Sequence, residues 1–155
     1  MIRFLIASPH SGAGKTVITL AIMRLLRKRG VKYQPAKSGP DYIDPKFHEV
    51  ASGESSVNLD AWAMRKEEIE NLAGSGNLVV EGAMGLFDGA GVSGVGSSAD
   101  LAKILSLPVI LVIDSGKTAH SIAAIVQGFK SFDNHVTVAG VILNRVASDR
   151  HLNIL

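Results

Sequence analysis

The chain has 155 residues, of which 46% are hydrophobic, and this length and composition fit one globular domain with a sizeable core. Lysine and arginine number 16 against 14 aspartates and glutamates, without blocks of like charge, which argues against a nucleic-acid or membrane surface. The chain has no cysteine, which excludes disulfides, thiolate metal sites and cysteine nucleophiles. Its apolar runs are too short for a signal peptide or a membrane span, so we expect a cytoplasmic protein.

Short apolar runs alternate with longer amphipathic segments along the chain. Buried parallel strands are predicted at 4–7, 78–80, 109–113 and 138–143, with 33–37 as a weaker candidate. Helices are predicted at 16–29, 66–73, 99–105 and 118–132. This alternation predicts an α/β fold, with a doubly wound, mainly parallel sheet flanked by helices.

The loop between the first strand and the first helix reads SPHSGAGKT over residues 8–16. Such a loop presents backbone N–H groups to phosphates, and its glycines allow a close approach. Lys15 can pair with the β- and γ-phosphates, and the Thr16 hydroxyl can bind Mg²⁺. Pro9 stands where the usual pattern has glycine, so the loop is a variant, and a chance Gly-Lys-Thr turn is the alternative. The predicted nucleotide-binding residues are Ser11, Gly12, Ala13, Gly14, Lys15 and Thr16.

In parallel sheets ligands bind at the carboxyl ends of the strands, and acidic residues follow the 33–37 strand. Asp41 and Asp44 flank Tyr42 and lie between Pro40 and Pro45, which stiffen the backbone. Two acids on a rigid loop can bind Mg²⁺ or position a substrate. The alternative is an Asp-Pro turn in which Asp44 caps a helix, and alone the acids favour this alternative.

Further candidates follow two other strands. Glu81 ends the 78–80 strand, where nucleoside triphosphatases keep a carboxylate for Mg²⁺, although such an acid can also cap the next helix. Asp88, in the glycine-rich loop 82–96, can lie over the γ-phosphate or only form a turn. Asn144 can donate to and accept from an adenine edge, or belong to a plain turn. The five histidines show no metal-ligand spacing and are predicted to lie at the surface or in loops.

Four segments together closely resemble the cobyrinic acid a,c-diamide synthase family. They read SGAGKT, KSGPDYIDP, NLDAW and EGAMGLFDG, at residues 11–16, 37–45, 58–62 and 81–89. The similarity continues through 112–128 and 140–151. The GPDYIDP sequence is specific to this family and its near relatives, whereas dethiobiotin synthetase and the partitioning ATPases share the variant phosphate loop.

The resemblance implies an ATP-dependent enzyme that converts the a and c carboxylates of a corrin ring to amides through acyl phosphates. Its cofactors would be ATP and Mg²⁺, with Thr16, Glu81 and Asp41 as the metal-binding residues. Asn144 would join the phosphate loop in binding the nucleotide. By the same resemblance the catalytic residues, at the boundary between γ-phosphate and carboxylate, are Lys15, Asp41, Tyr42, Asp44 and Asp88.

Family members are longer and carry a glutaminase domain with a cysteine nucleophile. We therefore expect residues 1–155 to form a single, incomplete synthetase domain that uses ammonia or a glutaminase domain as nitrogen source, and whose uncovered apolar surface favours a homo-oligomer. One alternative is a nickel-sirohydrochlorin a,c-diamide synthase. Another is a nucleotide switch like the partitioning ATPases, but these carry a second lysine where this chain has His10, and they lack the Gly-Pro-Asp-Tyr segment.

Overall fold

Six parallel strands form one sheet in the computed structural model, which describes residues 1–155. The order of the strands across the sheet is β3-β2-β4-β1-β5-β6. The predicted fold class is therefore confirmed. The strands are β1 (Arg3–Ala7), β2 (Gln34–Ser38), β3 (Val57–Leu59), β4 (Leu78–Glu81), β5 (Val109–Asp114) and β6 (Val138–Asn144). The helices are α1 (Lys15–Lys28), α2 (Asp44–Ser52), α3 (Lys66–Ala73), α4 (Ser98–Ile104), α5 (Ile122–Ser131) and α6 (Asp149–Leu152).

Hydrophobic side chains pack on both faces of the sheet. Successive residues of a strand point to opposite faces, so Leu5 belongs to one buried cluster and Ile6 to the other. Val80 and Val79 of the central strand β4 divide in the same way. The apolar runs that predicted buried strands are explained by this packing, since helices cover both faces.

Two elements near the site were not predicted, and one predicted boundary is wrong. The three-residue strand β3 lies at the edge of the sheet, and α2 begins at Asp44, directly after the loop that carries Asp41. Pro45 lies in the first turn of α2, where a backbone N–H would have no hydrogen-bond partner within the helix, so proline is tolerated there. The predicted helix 118–132 begins only at Ile122, because residues 118–121 form tight turns.

The carboxyl ends of the parallel strands meet at one edge of the sheet, as the fold class predicts. The phosphate loop, the loop after β2 and the loop after β4 all lie at this edge. None of the helices combines the length and apolar character needed to cross a bilayer.

Tyr33 gives a test of the packing on the α1 face. Its buried hydroxyl donates a hydrogen bond to the Met23 carbonyl oxygen at 2.7 Å, and burial raises the pKa of Tyr33 to about 12. The neutral phenol therefore stabilises the fold fully below its unfolded pKa of 10.0, and this contribution is lost as the pH rises through about 12. We expect Tyr33→Phe to lower the free energy of unfolding by about 1 kcal/mol and to weaken its alkaline decline.

Denaturant melts at neutral pH and at several alkaline pH values measure both effects. Tyr42→Phe is the matched control, because the Tyr42 side chain is exposed. An unchanged alkaline decline in Tyr33→Phe would contradict the assignment of this pH dependence to the buried phenol.

Candidate functional site

The phosphate loop connects β1 to α1 and leaves the N-terminus of α1 without a side-chain cap. Gly14 precedes the helix with φ 91°, and a Cβ there would lie 2.2 Å from Asn144 Nδ2, so only glycine fits. The uncapped N–H groups and the helix dipole make this end of α1 suited to bind an anion. Lys15 begins the helix and forms no ion pair, so its ammonium is available to a phosphate.

Residues at the ends of β5 and β6 brace this loop from the side. Asn144 Nδ2 donates to the Ala13 carbonyl oxygen at 2.9 Å, while its Oδ1 accepts from the Arg145 N–H. The Arg145 guanidinium pairs with Asp114 and donates to the Gly12 carbonyl oxygen. The structure thus gives Asn144 a role in holding the loop, and its predicted contact with adenine stays a prediction.

Glu81 lies fully buried at the end of β4, directly beside the phosphate loop. Its carboxylate accepts from Thr16 Oγ1 at 2.5 Å, from Lys37 Nζ at 3.3 Å, and contacts His48 Nε2 at 2.7 Å. Burial acts to raise the pKa of Glu81, but the hydrogen bond from His48, the charge of Lys37 and the hydrogen bond from Thr16 outweigh it and lower the pKa. Glu81 is therefore an ionised carboxylate at neutral pH.

Lys37 is a site residue that the sequence analysis missed. Its nearly buried ammonium donates to Asp44 Oδ2 at 2.6 Å and to the Gly82 carbonyl oxygen at 3.3 Å, and lies 3.8 Å from Asp41 Oδ2. Together with Glu81, three carboxylates thus surround one ammonium. A signal was available in the sequence, because a lysine in a predicted buried strand is almost never buried unless it is paired.

His48 is the second missed residue, and the prediction that all histidines lie at the surface or in loops is wrong for it. It lies on α2, fully buried, with Nδ1 at 3.1 Å from the Ser56 hydroxyl. An ionised carboxylate only accepts, so Nε2 donates its hydrogen to Glu81. His48 follows Asp44 by one helical turn on the same face of α2. This face therefore contacts Glu81 through His48 and Lys37 through Asp44.

Asp41 fixes the start of α2. Its Oδ1 accepts from the N–H groups of Ile43, at 2.8 Å, and Asp44, at 3.2 Å. Burial acts to raise the pKa of Asp41, but these two hydrogen bonds, aided by the charge of Lys37, lower it. Asp41, and not Asp44 as the alternative interpretation had it, therefore accepts hydrogen bonds from the N–H groups at the start of α2. The other carboxylate oxygen of Asp41, Oδ2, faces the ammonium of Lys37.

Two further candidates lie at the rim. The Tyr42 side chain is 86% exposed, so it is open to a ligand. Asp88 is also exposed, and its Oδ2 accepts from the Gly85 N–H at 2.8 Å, which is a turn-forming contact. The structure brings Lys15, Thr16, Asp41, Asp44 and Glu81 together around Lys37. The catalytic parts of Tyr42 and Asp88 stay predictions.

The donor set of the site fits Mg²⁺ that is bound together with a nucleotide. No three His, Asp or Glu side chains cluster closely enough to hold a metal by themselves. Mg²⁺ needs few protein ligands when phosphate oxygens complete its shell. The Thr16 hydroxyl and the Glu81 carboxylate are two such oxygen ligands beside the phosphate loop.

The ammonium groups of Lys15 and Lys37 lie close enough for their charges to interact. Burial, and then the charge of Lys37, lower the pKa of Lys15, while Glu81 and Asp44 partly offset this effect. A group that binds here with negative charge would relieve the repulsion between the two ammonium groups. The Lys15 ammonium, which forms no ion pair, is thus suited to bind a phosphate, whereas the Lys37 ammonium is already paired with the three carboxylates.

Residues 4–155 match the protein family described as the CobQ/CobB/MinD/ParA nucleotide binding domain. Curated relatives include the hydrogenobyrinate a,c-diamide synthase of Brucella anthropi, 55% identical over 96% of this chain and 35% of the relative. The proteins of the same name from Rhizobium meliloti and Mesorhizobium japonicum are 53% and 48% identical, over 97% and 95% of this chain. This chain spans 36% and 35% of their lengths, about a third of each relative.

Proposed function

Because this chain belongs to the CobQ/CobB/MinD/ParA nucleotide binding domain family, we propose that it is the ATP-binding part of an enzyme that amidates the a and c carboxylates of a corrin ring. The observation that carries the proposal is the Lys37 ammonium, held among three carboxylates directly beside the phosphate loop. The names of the relatives, at 48–55% identity, favour hydrogenobyrinic acid as the ring, and the sequence resemblance adds its cobalt form, cobyrinic acid. We treat residues 1–155 as a single ATP-binding domain.

The first part of the mechanism is nucleotide binding. The N–H groups of the phosphate loop and the Lys15 ammonium bind the β- and γ-phosphates. Thr16 and Glu81 would hold Mg²⁺, which supplies positive charge to the phosphate oxygens. Because His48 occupies Glu81 Oε2, the Oε1 atom is the one that faces Thr16. His48 thereby orients the carboxylate.

The second part is activation of the substrate. A carboxylate is a poor electrophile, so one of its oxygens bonds to the γ-phosphorus and ADP leaves with the electrons of the broken bond. Ammonia then attacks the acyl carbon, phosphate leaves, and the nitrogen loses a proton. The Lys15 ammonium offsets negative charge as the two anions approach, and we assign to Asp41, Asp44 and Asp88 the acceptance of that proton.

The nitrogen source and the cellular setting belong to the same proposal. Ammonia reaches this site either free or from a glutaminase domain. ATP and Mg²⁺ are abundant in the cytoplasm, where we place the reaction. We also propose self-association through apolar residues left exposed on α5 and β6.

A nucleotide switch of the partitioning-ATPase type is the second candidate, because the family description includes such proteins. It would hydrolyse ATP without a tetrapyrrole acid. A nickel-sirohydrochlorin enzyme would use the same chemistry on another ring.

Rates with the different rings separate these functions. We suggest a chimera in which this chain replaces the matching segment of the Brucella anthropi relative, since the two are 55% identical. Given Mg-ATP and ammonium, we expect ADP, phosphate and amidated ring from hydrogenobyrinic or cobyrinic acid. Hydrolysis of ATP at the same rate without any ring would instead support the switch, and amidation of nickel-sirohydrochlorin alone would support the nickel enzyme.

A further inference from the structure

We propose that an exposed apolar surface around Trp62 binds the flat face of the tetrapyrrole substrate; this inference rests on the proposed function. Large apolar side chains are exposed in loops at the carboxyl edge of the sheet, on the same edge as the phosphate loop. The surface, which we call the ring platform, consists of Tyr42, Ile43, Trp62, Met84, Val92 and Val95.

These side chains come from three loops at one edge of the sheet. A single exposed apolar residue is ordinary, but a group on the loops beside a polar site is typical of a ligand surface. The loop after β2 supplies two residues, the turn after β3 supplies Trp62, and the loop between β4 and α4 supplies the other three. Trp62 is the largest of them and is 69% exposed.

The Trp62 turn is held rigidly by hydrogen bonds and by close packing. The buried Asp60 side chain accepts from the N–H groups of Trp62, at 2.9 Å, and Ala63, at 3.2 Å. Gly96, with φ 77°, lies so close that a Cβ there would be 2.4 Å from the Cβ of Trp62. An aromatic side chain on a fixed backbone binds a flat partner with little loss of conformational entropy.

Hydrogen bonds through Ser98 connect the glycine-rich loop to the end of β2. Ser98, two residues after Gly96, accepts from the Ala83 N–H at 2.9 Å and lies 3.4 Å from the Ser38 hydroxyl. Ser38 adjoins Lys37 at the end of β2. These contacts fix the glycine-rich loop to the strand ends that carry the polar site.

The segment after β2 is tied to β3 in the same way. Asn58 Nδ2, on β3, donates to the Asp41 carbonyl oxygen at 2.7 Å. The Trp62 turn follows β3 directly, so both loops rest on one framework.

A tetrapyrrole acid matches this arrangement chemically. Its conjugated ring offers an apolar face, while its carboxylates lie on the periphery. A ring that lies on the platform would place a peripheral carboxylate at the edge of the sheet that carries the phosphate loop and Lys15, and aromatic contact adds to the apolar burial.

Trp62 is the one tryptophan of the chain, so its fluorescence reports directly on the ring platform. We expect hydrogenobyrinic acid to quench this fluorescence in the 155-residue chain. In calorimetric titrations, Trp62→Ser should weaken binding of the ring about tenfold, whereas Trp62→Phe should stay within about threefold of the parent. Val50→Ser, which removes an exposed apolar side chain from α2, is the matched control and should bind as the parent does.

Equal affinity of Trp62→Ser and the parent would overturn the inference, as would calorimetric binding of the ring without any change in fluorescence. A chain that binds Mg-ATP but not the ring would overturn the ring platform and leave nucleotide binding intact. A chain that binds no nucleotide would contradict the proposed function itself.

Discussion

Lys15→Met is expected to reduce phosphoryl transfer by about a thousandfold or more, because the ammonium that would bind the β- and γ-phosphates is lost. Affinity for Mg-ATP should fall about tenfold to a hundredfold, the effect of losing one charge-assisted hydrogen-bond donor. Methionine keeps most of the length and apolar character of the lysine stem. Calorimetric titration with a non-hydrolysable ATP analogue and a rate measurement in the chimera give the two values.

The same substitution should not lower the stability of the nucleotide-free protein. Burial lowers the pKa of Lys15, so the folded state disfavours its charged form, and at neutral pH this charge opposes folding. Lys15→Met should therefore unfold at equal or higher denaturant concentration. Lys46→Ala, at an exposed lysine paired with Glu49, is the control and should change neither value. A Lys15→Met protein that binds Mg-ATP like the parent would exclude the phosphate role of this loop.

Glu81→Gln has the second largest expected effect, because it removes the carboxylate on which the site is centred. Lys37 then loses one of its buried counter-charges. The NH₂ group of the glutamine also replaces one carboxylate oxygen, so it must face a group that donated a hydrogen bond to that oxygen. We expect the free energy of unfolding to fall by about 3 kcal/mol, as when one partner of a buried ion pair is removed. The dependence of ATP binding on Mg²⁺ should weaken at the same time.

Denaturant melts and nucleotide titrations at varied Mg²⁺ concentration measure these effects. Glu49→Gln removes an exposed carboxylate on α2 and is the matched control. If Glu81→Gln unfolds and responds to Mg²⁺ as Glu49→Gln does, the central place of Glu81 is refuted.

The sheet could be predicted because its strands are buried on both faces. Runs such as 78–80 are apolar without interruption, and this pattern is typical of parallel strands between helices. Strand β3 was missed because three residues carry no periodicity that can be recognised. Helix α2 was missed because Pro40, Pro45 and the acids between them were interpreted as a stiff loop, although Pro45 is favourable in a first helical turn.

The site was predictable where a residue type has a local reason to be there. Thr16 and Glu81 each follow from a position in a strand-loop-helix pattern, and the structure brings them into contact. The sequence signals that Lys37 needs a partner but does not name that partner, and His48 carries no such signal, since both roles depend on contacts across the fold. The spacing of Asp44 and His48 gains meaning only once the helix that joins them is known.

The most direct test of activation through an acyl phosphate is to measure whether a carboxylate oxygen of the substrate is transferred to the released phosphate. The chimera is given Mg-ATP, ammonium and hydrogenobyrinic acid whose carboxylates carry a heavy oxygen isotope, and the released phosphate is analysed by mass spectrometry. Activation through an acyl phosphate predicts one labelled oxygen in the phosphate for each amide formed, and about a thousandfold slower release of labelled phosphate from the Lys15→Met chimera. Amide formation with unlabelled phosphate would contradict the account.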